Sequence, residues 1–145
     1  MIALGADHAG FEYKEKIKTL LTSLGYSFQD FGTTSTESTD YPDYAHTVAE
    51  AIISGKAELG ILVCGTGIGM SIAANKHNGI RAAVVESVPA AKLSREHNNA
   101  NILALGARIT PWETAQEIIK AFLSTAFEGG RHQRRIDKIH TLTNL

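Results

Sequence analysis

The stretch Leu59-Gly-Ile-Leu-Val-Cys-Gly-Thr-Gly-Ile-Gly-Met-Ser71 decides how this chain reads. Leu59–Val63 is an apolar run of strand length. It opens into a loop with glycine at positions 65, 67 and 69, and the small residues beyond Gly69 continue as a helix through MSIAAN. The same alternation extends in both directions. Ile2–Ala6, Arg81–Val85 and Ile102–Leu105 are further apolar runs, and Ser27–Asp30 is a weaker one. Between them Ile17, Leu20, Leu21 and Leu24 recur at helical spacing before Gly25, and Ala45, Val48, Ala49 and Ile52 do so before Gly55. Ser87–His97 carries Pro89 in its first turn. Trp112, Ala115, Ile119 and Phe122 mark a fifth helix, with Thr110 expected as N-cap and Pro111 at the first helical position. Strands that are apolar throughout and alternate with helices predict a parallel sheet covered on both faces. With right-handed crossovers this is a doubly wound α/β fold, a Rossmann-like three-layer sandwich around five parallel strands. Ligands in such folds bind beyond the carboxyl ends of the strands. Asp7-His8, Cys64-Gly65-Thr66 and Glu86-Ser87 all follow predicted strands and are expected along one edge of the sheet.

Two segments depart from the alternation. Thr33–Tyr44 (TTSTESTDYPDY) is polar and punctuated by Pro42, which predicts a surface loop, either a plain connector or one that closes on a ligand. From Gly129 onward, GGRHQRRIDKIHTLTNL begins with a glycine break and then carries Ile136, Ile139 and Leu142 at helical spacing. A terminal amphipathic helix after such a break is expected to pack on a partner subunit.

Composition narrows the function. The 145 residues suit one domain, expected to span 1–145, with 43% hydrophobic and 20% charged residues, ordinary values for a globular protein. A net charge of −1 argues against nucleic acid and anionic membrane surfaces, so any anion site must be a local concentration of positive charge. One cysteine leaves no intrachain disulfide, in keeping with a reducing compartment. MIALGADHAGF lacks a basic region followed by a long apolar run, and no stretch approaches the roughly 20 apolar residues of a membrane span. A soluble, cytoplasmic protein is the expectation.

The glycine loop has a chemical reading. Glycines there let backbone N–H groups turn toward a ligand, and the helix start adds partial positive charge, forming a hole for a phosphate, a carboxylate or a reaction oxyanion. A P-loop would need G-x-x-x-x-G-K-[ST], which the chain does not contain. The dinucleotide fingerprint would start at Gly65 and Gly67, but Met70 stands where its third glycine belongs. Glu86 at the end of the next predicted strand keeps a nucleotide-binding reading open. Cys64 is either a buried structural thiol or, at a strand mouth beside a positive helix end, a thiolate suited to nucleophilic attack or proton abstraction beside a carbonyl. The six histidines show no metal-ligand spacing such as H-E-x-x-H, and one cysteine cannot build a thiolate site, so no metal is expected. His8 and His97 fall near element ends on the ligand side, either as surface residues or as proton-transfer groups. Arg131, His132, Arg134 and Arg135 form a dense cluster, with Arg108 after another predicted strand. Such a cluster is a solvated helix face or, since arginine pairs bidentately with phosphate, a phosphate clamp.

GADHAG, TDYPDYA, CGTGIGMSIAANK, GIRAA, LSREHNNANILALGAR and EGGRHQRRI, in this order over nearly the whole chain, resemble the ribose-5-phosphate isomerase B family and its relatives, the galactose-6-phosphate isomerase subunits. The resemblance implies an aldose–ketose isomerase that interconverts ribose 5-phosphate and ribulose 5-phosphate through a cis-enediolate, without metal or organic cofactor. It implies Cys64 as the base, with Gly65, Thr66, Gly67, Ile68 and Gly69 stabilising the enediolate and Thr66 assisting. His97 resembles the acid that opens the sugar ring, and Asp7 shares that work or holds hydroxyls. His8, Arg131 and Arg135 match phosphate ligands, Asn98 and Arg108 further substrate contacts, and Tyr41 a pocket-lining residue. Some members carry a glutamate base elsewhere and lack the cysteine; here Cys64 is present and Ser71-Ile-Ala-Ala-Asn75 offers Asn75 rather than an acid, so the chain belongs with the cysteine type. Members are homodimers or tetramers whose sites combine two subunits. The rival readings are an isomerase of a six-carbon sugar phosphate, namely allose 6-phosphate or a galactose-6-phosphate isomerase subunit, and a non-catalytic sugar-phosphate or nucleotide-binding module.

Overall fold

Successive side chains of a strand point to opposite faces of its sheet, so a strand that is apolar at every position needs cover on both sides. The computed structural model, which describes residues 1–145, meets that need. Strands β1 (Ile2–Ala6), β2 (Phe28–Asp30), β3 (Leu59–Cys64), β4 (Ala82–Val84) and β5 (Ile102–Gly106) form one parallel sheet in the order β2-β1-β3-β5-β4. The helices are α1 (Phe11–Ser23), α2 (Tyr41–Ile53), α3 (Ile68–Ala74), α4 (Val88–Glu96), α5 (Trp112–Ser124) and α6 (Arg131–Thr143), with a single 3-10 turn at His8–Gly10. Ile61 and Val63 of β3 join Leu4, Leu103 and Leu105 in a core against α1, α4 and α5. The alternate residues Leu62 and Cys64 join Ala3, Ile102 and Ala104 in a second core against α2 and α3. These two cores make the expected three-layer sandwich. Only the edge strands β2 and β4 are half-buried along their length. On the second face α2 lies against bare backbone: a Cβ at Gly60 would fall 2.7 Å from Val48, and one at Gly5 2.9 Å from it. Glycine at these two positions sets how closely α2 approaches the sheet.

Two local expectations need correction, and a third stands in part. The helix expected to be capped by Thr110 has Pro111 at its N-cap, without a side-chain cap bond. The Thr110 side chain is buried, and its carbonyl accepts a hydrogen bond from Tyr13 Oη. The loop read as Thr33–Tyr44 ends earlier, because Tyr41 begins α2 and Pro42 lies in its first turn, where a missing N–H costs nothing. The terminal helix is only partly unpartnered: Ile136 and His132 are buried within the chain, whereas Ile139 and Leu142 are exposed.

The topology fixes where chemistry can occur. From β1 the chain runs to β2 on one side, then crosses to β3 on the other, so the carboxyl ends of β1 and β3 frame the switch-point crevice. No helix is long and apolar enough to cross a membrane.

Candidate active site

β1 delivers Asp7 and His8 to that crevice. Asp7 is buried, and its Oδ1 accepts from the N–H groups of Ala9 (3.0 Å) and Gly10 (3.1 Å), capping the 3-10 turn. One carboxylate oxygen is thus committed to the backbone. His8 is held from across the site: its N–H donates to Thr39 Oγ1 at 3.2 Å, and the Thr39 N–H donates back to His8 Nδ1 at 3.1 Å. Nδ1 therefore acts as acceptor, and in the neutral ring the proton resides on Nε2, free to donate.

β3 delivers the glycine loop. Cys64 is buried, and the Gly67 N–H donates to its Sγ at 3.1 Å. Gly67 makes the turn possible with φ +80°. The Ile68 N–H is used internally, donating to Thr66 Oγ1 at 3.2 Å. The N–H groups of Gly65 and Thr66 have no acceptor within the chain and are available to a ligand.

Tyr41, the first residue of α2, closes one side. Its ring lies so near Gly69 that a Cβ there would be 2.8 Å from ring carbons. Arg108, after β5, closes the other: its N–H donates to the Gly65 carbonyl at 2.9 Å, and its guanidinium passes over Gly65 without an ion pair to any carboxylate. Asp7, His8, Tyr41, Cys64, Gly65, Thr66, Gly69 and Arg108 line one cavity of about 210 Å³. A larger groove of about 410 Å³ between α1 and α5, lined by Lys16, Trp112 and Gln116 among others, holds no comparable constellation.

The remaining sequence candidates gather elsewhere. His97 ends α4, and its ring stacks on that of His132 at 4.3 Å with the planes 14° apart. Burial pushes the His132 imidazole below its ordinary value, His97 and Arg131 push it the same way, and Glu128 opposes them. His132 Nε2 has no hydrogen-bond partner, since Glu128 Oε2 is 3.6 Å away. Arg131 and Arg135 are exposed on α6 without ion pairs, and Asn98 is exposed beside His97. None of these residues lines the cavity, nor does Glu86. The structure therefore brings together eight of the fourteen sequence candidates on one cavity, and with them Gly67 through its bond to Cys64.

Sequence reading missed Thr39, which orients His8, and it missed that Asp7 caps a turn. A threonine 31 residues from its histidine leaves no local signal. The Asp7–Gly10 cap was in principle readable, as an acidic residue directly before a turn.

The profile of the ribose/galactose isomerase family matches residues 2–139. The ribose-5-phosphate isomerase B of Escherichia coli (strain K12) is 50% identical over 138 residues, covering 95% of this chain and 93% of that one. The solved structure of Clostridium thermocellum ribose-5-phosphate isomerase B superposes with a TM-score of 0.97 at 49% identity, over 99% of this chain and 97% of that one. The Mycoplasma genitalium ribose-5-phosphate isomerase B, solved with ribulose 5-phosphate bound, gives 0.94 at 41% identity, over 99% and 95%.

Proposed function

This chain belongs to the ribose/galactose isomerase family, and from that membership we propose that it interconverts ribose 5-phosphate and ribulose 5-phosphate. The carrying observation is the Cys64 thiol beside two uncommitted backbone N–H groups in the β1/β3 crevice. Cys64 takes the C2 proton of the open-chain aldose and returns it to C1, while the proton on the C2 oxygen passes to the C1 oxygen. Between the two transfers the substrate is a cis-enediolate. Its negative charge develops on oxygen, where the Gly65 and Thr66 N–H groups can meet it, with Thr66 Oγ1 and the rest of the loop to Gly69 shaping the hole. Loss of one such donor typically costs about 100- to 1000-fold in rate. Backbone donors supply this stabilisation without a metal ion, so the reaction is proposed to be metal-independent.

Asp7 keeps one oxygen for a sugar hydroxyl, and Tyr41 walls the pocket. His8 and Arg108 offer donors to the anionic end of the substrate. His97, Asn98, Arg131 and Arg135 complete the site from a second copy of the chain: His97 opens the furanose ring and the arginines clamp phosphate. Three features support this homodimeric reading. The four residues lie off the cavity, the arginines are unpaired, and α6 exposes Ile139 and Leu142 while α3 exposes Ile68 and Ile72 beside the pocket. Residues 1–145 act as one isomerase domain, and the substrate's metabolic chemistry suits the cytoplasm.

The test is isomerisation of ribose 5-phosphate by the purified chain alone in the presence of EDTA. Robust turnover is expected. Turnover of a six-carbon sugar phosphate instead, or a need for a second polypeptide, would overturn the substrate assignment. Complete, reversible loss on chelation would overturn metal independence.

A further inference from the structure

Away from the cavity, two histidines and a glutamate converge. His46 and Glu50 are one helical turn apart on α2, both exposed, and His77 follows the end of α3. His46 Nδ1 and His77 Nε2 are 2.8 Å apart, and one ligand atom from each of the three residues lies within 4.8 Å of the others. The protonation of this pair can be deduced. His77 Nδ1 faces the carbonyls of Ala73 (3.0 Å) and Ala74 (3.1 Å), which only accept, so it must carry a proton. In the neutral ring Nε2 is then a bare lone pair directed at His46. A histidine anchored through one nitrogen to backbone carbonyl, with the other nitrogen presented, is how metal-binding imidazoles are oriented.

We propose that His46, Glu50 and His77 form a site for a divalent transition-metal ion of the zinc type. The ion replaces the proton shared between the two rings, with Glu50 supplying charge and a third ligand and water completing a tetrahedral shell. Imidazole and carboxylate ligands bind zinc at about 2.0–2.2 Å, which small rotations of two exposed side chains on α2 can meet. Because α2 and α3 pack together, the ion would tie the middle of α2 to the chain just beyond the C-terminal end of α3. Tyr41 opens α2 and Gly69 is in the first turn of α3, so the clamp would hold two walls of the cavity in register without touching it. The site escaped sequence reading because its two histidines are 31 residues apart.

The test is calorimetric titration of Zn²⁺ into the EDTA-stripped, dialysed full-length chain in a non-chelating buffer, followed by thermal unfolding with and without the metal. We expect one equivalent bound with micromolar affinity and a rise in unfolding midpoint. His46→Ala, which alters an exposed helix position and leaves the fold intact, should weaken binding at least about tenfold and abolish the rise, and His77→Ala should do the same. Cys64→Ser and His132→Ala should leave the event unchanged. Undetectable binding, binding insensitive to His46→Ala, or binding lost with Cys64 or His132 would each overturn the proposal.

Discussion

The crevice at the ends of β1 and β3 and the corner where α4 meets α6 carry similar chemistry, imidazoles and arginines, on very different supports. In the crevice the side chains of Asp7, His8 and Cys64 are each bonded to the backbone, Asp7 to Ala9 and Gly10, His8 to Thr39 and Cys64 to Gly67, and Arg108 is anchored by its main-chain N–H to Gly65. At the corner His97 leans on His132, whose Nε2 is orphaned, and the two arginines stand free on a helix that buries only His132 and Ile136. The first arrangement is preorganised, as stabilisation of a developing charge requires. The second is preformed only in part, as expected of groups that take up position against a partner.

The deepest way to break this contrast is at Cys64. Cys64→Ala should lower turnover of ribose 5-phosphate by about 100- to 10,000-fold, the contribution typical of a positioned base, while calorimetry still detects substrate binding. Near-normal turnover would remove the crevice's claim to the chemistry. A sharper test pits the two regions against each other. Cys64→Ala and Arg135→Ala chains, each inactive or nearly so, are unfolded, mixed in equal amounts and refolded. If each site draws on both regions from different copies, half of the dimers are mixed and each holds one intact site, so about a quarter of wild-type activity returns. If both regions served one chain's own site, the mixture would stay inactive.

The contrast also explains what could be read in advance. Strand periodicity and the glycine loop are local signals, so the sheet, the order of its flanking elements and the position of Cys64 were legible in the sequence. Tyr41 and Arg108 could be grouped with Cys64 only through the family resemblance, because what joins them is a close approach over Gly69 and Gly65. Long-range partnerships left no trace: Thr39 with His8, His46 with His77, and His97 with His132 are pairings between distant segments that the parallel sheet brings together. The start of α2 was misread because Thr33–Tyr44 is polar throughout, and the proline that resembles a loop breaker occupies a helix's first turn.

The rigidity of the crevice rests partly on a buried ion pair behind it. Lys14 of α1 is fully buried and donates to Asp30 Oδ2 at 2.6 Å, and Lys18 donates to the same oxygen at 3.0 Å. Burial alone would raise the Asp30 carboxyl, but hydrogen bonds from Lys14, the Gly32 N–H and Lys18 outweigh it and hold the group below the usual carboxylate range. A carboxyl depressed on folding contributes stability above its unfolded value and loses it as pH falls through the folded one. Stability should therefore decline in acid below the ordinary carboxylate range. Asp30→Asn should flatten that decline and cost about 2–3 kcal/mol at neutral pH by stranding the Lys14 ammonium, a figure reduced for the partial exposure of Asp30. Chemical denaturation across pH measures both. An unchanged acid limb in the variant would show that the pair does not anchor this region.

The smallest effect expected is at the corner, and it is the most diagnostic of the difference in support. His132 is held below its ordinary value by burial and by the neighbouring His97 and Arg131. A histidine depressed on folding contributes stability that is complete above its unfolded value, near 6.5 for an ordinary imidazole, and is lost as pH falls toward the lower folded value. Below neutrality, protonation then favours states in which the ring leaves its pocket, and within the chain α6 is then held by the buried Ile136 and the 2.8 Å contact of His140 with Arg81. Relative to the intrinsic rate, which itself slows in acid, hydrogen exchange should accelerate at the amides of α6 as pH falls below about 6.5, while those of β1 and β3 stay protected. In His132→Gln, which keeps a polar group without a titrating proton, that selective acceleration should vanish. Equal acceleration throughout the chain would mean that the corner is coupled to the sheet as firmly as the crevice is, and the contrast between the two supports would fail.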